Sequence, residues 1–136
     1  MTSSEREEFK VWFRANYADK VMAVKGPEYS GTGRGSTQDV NGNFKRVGEL
    51  LGIDPLVVAA VYFLKHLDAI LTYIKLGTEG SEPIYGRFGD AYNYIEIMAS
   101  LVAEQKGDPE IIHRANAVLA DAARTLDGQL PPVLVQ

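Results

Sequence analysis

The chain has no cysteine among its 136 residues, which excludes disulfides and thiolate metal sites. Its two histidines, His66 and His113, are too few for a His-rich metal site. There is no basic block, and the net charge is −4. Duplex nucleic acid is therefore not an expected partner, because its phosphates call for clustered Lys and Arg. The opening SSEREEFK is too charged for a signal peptide. The longest apolar run, Pro55–Leu64, is far too short to span a bilayer. No membrane association and a cytoplasmic location are the expectations that follow. No segment alternates apolar and polar residues with β-branched enrichment, so strands are not expected, and no internal repeat is visible.

What is present reads as helices separated by glycine and proline signals. Ser4 with Glu7 fits a capping box and predicts a first helix over Glu5–Val24. Phe9, Trp12, Phe13, Tyr17, Val21 and Met22 recur mostly three and four residues apart, which predicts an aromatic face for a core or a subunit interface. Residues 26–42 hold five glycines and few apolar groups, and read as a loop. Tyr29 and Arg34 are its ligand-capable side chains, and Gly31, Gly33 and Gly35 allow backbone N–H groups to approach an anion. GTGRGST lacks the Lys-Ser/Thr ending of a phosphate-binding P-loop.

A short helix is expected over Asn43–Leu51, with Phe44, Val47, Leu50 and Leu51 inward and Gly52 as its stop. Asp54-Pro55 is a helix start, and the next helix should reach Leu76 before Gly77. Its first half, LVVAAVYFL, is apolar nearly all round and predicts burial on most sides. The helix that follows opens at Ser81 as N-cap, places Pro83 in its first turn and ends at Gly107. Asp108-Pro109 begins a last helix with an alanine-rich face of Ile112, Ala115, Leu119 and Ala122. Residues 1–130 should form one helical domain, with 131–136 as an extended tail. The fold class is all-α, an antiparallel bundle of four to five helices.

Two polar clusters interrupt this pattern. Lys65, His66 and Asp68 break one apolar helix; Glu82, Arg87, Asp90 and Asn93 crowd the start of the next. Glu82, Gly86, Asp90 and Asn93 fall along one helical stripe. Gly86 and Gly89 each cost a helix up to about 1 kcal/mol, which points to close approach of another backbone or of a ligand. A short turn makes the two helices antiparallel neighbours. Lys65 is then expected near Asp90, and Asp68 near Arg87, since buried charges are rarely left unpaired. Two outcomes are open. One is a structural salt bridge. In the other, carboxylates hold Mg²⁺ while Lys65 and Arg87 grip phosphates.

The order of Lys25 and Tyr29, Asn43-Phe44, Lys65 in a long apolar helix, then EPIYGR (82–87) and DAYNY (90–94) resembles a group of small phage-encoded proteins. That group is similar to the all-α, MazG-like nucleotide pyrophosphohydrolases and to nucleotide-modification-associated domains. The resemblance covers roughly residues 20–105, and its specific part is EPIYGR with DAYNY. It implies a helical bundle assembled as a homodimer or homotetramer, with a site for a nucleoside phosphate and Mg²⁺. Active members of that superfamily carry an ExxE pair on one helix and an ExxD pair on the next. Here GNFKRVGEL offers only Glu49, and Tyr85 stands where an acid is expected.

Three functions follow as expectations. In the first, a metal-dependent nucleotide pyrophosphohydrolase, Glu82, Asp90 and Asp68 hold Mg²⁺, with Glu82 and Asp90 catalytic. Lys65 and Arg87 stabilise phosphate charge, while Asn93, Tyr29 and Arg34 complete substrate binding. The second is a non-catalytic module of the same fold that binds a nucleotide or nucleotide signal. The third is a structural or interaction protein with a buried ion-pair network.

Overall fold

The computed structural model describes residues 1–23, 39–107 and 109–129, and among them every regular element is helical. The chain divides into two compact units, Met1–Val102 and Ala103–Gln136.

The first helix, α1 (Ser3–Phe13), is capped by Thr2. The Thr2 hydroxyl accepts from the Glu5 N–H at 3.2 Å, and the Glu5 carboxylate accepts from the Thr2 N–H. The box is therefore Thr2–Glu5 rather than Ser4–Glu7. Both pairs fit the pattern, and the earlier one adds half a turn of helix, while Glu7 instead holds Lys10 at 3.2 Å. These hydrogen bonds from Thr2 hold the Glu5 carboxyl below its usual range.

Beyond α1 the backbone widens into a π-helical turn, Arg14–Ala18, before residues 19–23 resume the helix. Nothing in the sequence analysis anticipated this turn. Asn16 Nδ2 donates to the Trp12 carbonyl at 2.8 Å, which helps to hold it. The widening turns Tyr17 and Ala18 toward a later helix, and Ala18 is fully buried.

Helix α2 (Gly42–Leu51) buries Phe44 and Gly48 and ends at Gly52, φ 67°. Leu50 and Leu51, expected inward, face solvent, because the inward stripe runs from Phe44 through Gly48 to the Ile53–Pro55 backbone. A Cβ at Gly48 would lie 2.7 Å from the Ile53 carbonyl oxygen.

Asp54 caps α3 (Pro55–Leu76) by accepting from the Leu56 N–H at 2.7 Å, and Gly77 ends it at φ 70°. Burial on most sides does not hold for α3. It buries Val58, Ala59, His66 and Ile70 along one side and leaves Val57, Val61, Leu64 and Leu71 exposed. By length and composition, with mean hydropathy 1.5, α3 could cross a bilayer, a test that core helices of soluble proteins also pass.

Helix α4 (Ile84–Lys106) starts after Pro83, not at Ser81. A residue before proline avoids the helical region, so Glu82 stays outside the helix. The Pro83 carbonyl accepts from Gly86 and Arg87, and Glu79 accepts from the Ile84 N–H at 3.3 Å.

Two apolar clusters join these helices. Phe44, Val58, Ala59, Tyr94, Ile97 and Leu101 form one, and Ile70, Ile84 and Ala91 the other, with Phe63 packed against both. Early α3 thus meets late α4 and late α3 meets early α4, so this pair is antiparallel as expected. Helix α1 runs the other way relative to α4: Trp12 meets Tyr85, and Ala18 meets Asn93. The long connection from α1 to α2 makes that parallel arrangement feasible. Helix α5 (Pro109–Gln129) belongs to the second unit and exposes Ile111, Val118 and Leu119.

Candidate functional site

The polar centre of the first unit is the inner side of α4. Asp90 and Asn93 are 4% and 3% exposed, the reverse of what carboxylate and amide groups ordinarily do. Each has a partner supplied by another helix. Asn93 Nδ2 donates to the Ala18 carbonyl at 2.9 Å. That carbonyl is presented by the π-helical turn, so the irregularity in α1 and the buried amide in α4 explain one another. Gly89 lies between them. A Cβ there would stand 3.0 Å from Tyr17 Cβ and 3.1 Å from its carbonyl carbon, so any larger residue would have to push the Tyr17 backbone away. The expectation of close backbone approach holds at Gly89. At Gly86 it does not: no described neighbour lies within 4 Å of the Cβ position, and the residue is half-exposed.

Asp90 faces His66 of α3, with Oδ2 3.4 Å from Nδ1. The imidazole stacks on Tyr94 at 5.3 Å between centroids, and Tyr94 stacks in turn on Tyr62 at 6.2 Å. Asp90 and Tyr94 are one turn apart on α4, as Tyr62 and His66 are on α3, so two facing turns build the whole arrangement. A carboxylate beside an imidazole fixes ring orientation, the relation used both by structural pairs and by acid–base dyads.

Lys65 and Asp68 do not meet Asp90 and Arg87. Both are exposed, and neither makes an ion pair among the described residues. One residue along a helix is a rotation of about 100°, so His66 turns inward where Lys65 turns out. His66 was legible: it continues the inward series of Ala59 and Ile70 at spacings of seven and four.

Arg87 pairs instead with Glu82, Nη1 to Oε2 at 3.5 Å; its side chain is 11% exposed against 48% for Glu82. Arg87 Nε is buried and has no hydrogen-bond partner among the described residues. A guanidinium offers five N–H donors, so this one retains capacity for a further acceptor. Tyr29 and Arg34 lie outside the described residues, as does the tail 131–136.

No group of three His, Asp or Glu side chains gathers among the described residues. Glu82 is turned to Arg87, Asp90 to His66, and Asp68 faces outward.

A smaller polar pair ties the entry of α2 to α4. Asn41 Nδ2 donates to Ser100 Oγ at 3.0 Å, and Ser100 Oγ donates to the Ile97 carbonyl at 2.8 Å. Near the start of α4, Trp12, Tyr17 and Tyr85 form an edge-on and tilted cluster, with Trp12 and Tyr85 45% and 44% exposed. Comparison with protein-family models, with curated proteins and with solved structures gave no match to this chain.

Proposed function

We propose that this chain is a nucleotide-binding module that takes a nucleoside phosphate or a related anionic nucleotide signal without requiring a metal. The observation that carries the reading is Arg87, a nearly buried guanidinium whose Nε lacks a partner, beside the open position at Gly86. A phosphate oxygen supplies the missing acceptor, and Glu82 steadies the far side of the guanidinium. His66 and Asp90 hold α3 to α4 behind it. Asn93 fixes the π-helical turn and so positions Tyr17 rather than touching ligand. Tyr29 and Arg34 of the glycine-rich segment are assigned to the base and phosphates on sequence grounds. EPIYGR and DAYNY support a MazG-like, phage-type affiliation, a cytoplasmic setting and assembly as a homo-oligomer.

Phosphoanhydride hydrolysis is the second reading, favoured by the His66–Asp90 pair, in which a carboxylate-held imidazole can accept a proton from water. A thermal-shift screen of nucleoside di- and triphosphates and cyclic nucleotides, in EDTA and in Mg²⁺, tests both. A ligand at a hundredfold excess over Kd stabilises the folded chain by about 2.7 kcal/mol. A shift in EDTA without phosphate release supports the binding module. Release of phosphate or pyrophosphate supports the hydrolase, and no shift with any nucleotide defeats both.

A further inference from the structure

The outer side of α3 is unexplained by the core. Val57, Val61, Leu64 and Leu71 are 49%, 60%, 56% and 53% exposed. With Asp68 and Lys75 they occupy positions 57, 61, 64, 68, 71 and 75, spaced alternately by four and three residues. That spacing draws one stripe along a helix and is how two helices interlock. The opposite side of α3 is already committed to Val58, Ala59, His66 and Ile70.

The charges on this side say what covers it. Asp68 stands inside the stripe and Lys65 on its border, both exposed and without an ion pair among the described residues. The stripe is also symmetric: positions 57 and 75, 61 and 71, and 64 and 68 are equidistant from 66.

We propose that a second copy of this chain covers this face, the two α3 helices pairing antiparallel about a two-fold axis at the level of His66. Val61 of each copy then packs on Leu71 of the other, and Leu64 lies against the stem of Asp68. Lys65 of each copy comes within one residue's rise of Asp68 of the other, about 1.5 Å along the axis. The two-fold makes this ion pair twice. A parallel pair would instead set Asp68 against Asp68 and Lys75 against Lys75, which like charges oppose. A bilayer would place Lys65 and Asp68 in hydrocarbon with no partner. This inference does not depend on the nucleotide reading.

The full chain, lacking native cysteine, allows a direct test. Sedimentation velocity should give twice the mass of one chain at micromolar concentration. Val57→Cys and Lys75→Cys should form a mixed disulfide when combined. Each alone should not cross-link, because like positions lie about 27 Å apart in the antiparallel pair. Leu64→Glu should abolish the dimer with its circular dichroism unchanged, since Leu64 is outside the core. Lys65→Asp should weaken dimerisation about tenfold or more, because two ion pairs become two repulsions. The double variant Lys65→Asp/Asp68→Lys should restore it. A monomer at all concentrations, a Val57→Cys self-cross-link, a dimer indifferent to Leu64→Glu and Lys65→Asp but lost on changing Val118 and Leu119 of α5, or association only with phosphatidylcholine vesicles would each overturn the proposal.

Discussion

Helices α3 and α4 depart from the usual partition in opposite directions. Helix α4 draws a carboxylate and an amide inside, at Asp90 and Asn93, while α3 leaves Val57, Val61, Leu64 and Leu71 outside. Exposed single apolar residues need no explanation, but an ordered stripe of them does, and so does a buried carboxylate. The two departures have different causes. The buried groups of α4 are answered within the chain, by His66 and by the Ala18 carbonyl. The exposed stripe of α3 has no such answer within the described chain, and the occupant proposed for it is a second copy. Polar residues in the two helices therefore differ: those of α4 hold its neighbours beside Arg87, and those of α3 are the ones to which the proposed pairing assigns its direction.

The comparison is broken most directly by truncating one carboxylate from each helix. Asp90→Ala should cost about 3 kcal/mol in urea unfolding, because it removes one side of the buried His66–Asp90 contact. Asp68→Ala should stay within about 0.5 kcal/mol at concentrations where the chain is monomeric. Equal losses would erase the distinction between the two sides.

The glycines of α4 sharpen it next. Gly89→Ala forces a methyl group against the Tyr17 backbone and should destabilise by about 1–3 kcal/mol. Gly86→Ala meets open space and should stabilise the folded chain by up to about 1 kcal/mol through helix propensity. The same change should weaken nucleotide binding, a split that a purely structural glycine would not give. Asn93→Ala removes one buried hydrogen bond and strands the Ala18 carbonyl, for about 1.5 kcal/mol and faster amide exchange through 14–18.

The smallest effect is at the entry to α2. The Lys45 ammonium, 2.6 Å from Asp39, holds that carboxyl below its ordinary value of 3.8. A depressed folded value means that the contact stabilises fully above 3.8 and is lost as pH falls through the lowered value. Asp39→Asn should therefore differ from the parent chain at pH about 5 and converge with it near about 2. Added salt should narrow the difference, because both side chains are more than two-fifths exposed.

The sequence was clear at several boundaries that local chemistry decides, though the caps read at Ser4 and Ser81 were displaced. Asp54-Pro55, Gly52, Gly77 and Gly107 mark their boundaries because a cap or a left-handed glycine needs only its neighbours. It was less clear where packing across the chain decides. The π-helical turn follows from what Gly89 and Asn93 offer some 70 residues later, which no pattern within α1 contains. The site was legible as a set of residue types and not as a set of pairs. Asp90 is buried and Arg87 nearly so, yet their partners are His66 and Glu82 rather than Lys65 and Asp68. Spacing placed Lys65 and Asp68 in the correct helix but did not say which side of it was covered. An apolar run that is hydrophobic all round gives no rotational reference.

The central claim is that ligand is held beside Arg87 and not on the outer side of α3. Its most direct test is a calorimetric titration of the strongest nucleotide from the thermal-shift screen into the parent chain, Arg87→Ala and Lys65→Ala, all in EDTA. The account predicts saturable heat for the parent and for Lys65→Ala, and none for Arg87→Ala. Binding retained by Arg87→Ala and lost by Lys65→Ala would contradict it and move the site to the other side of the helix.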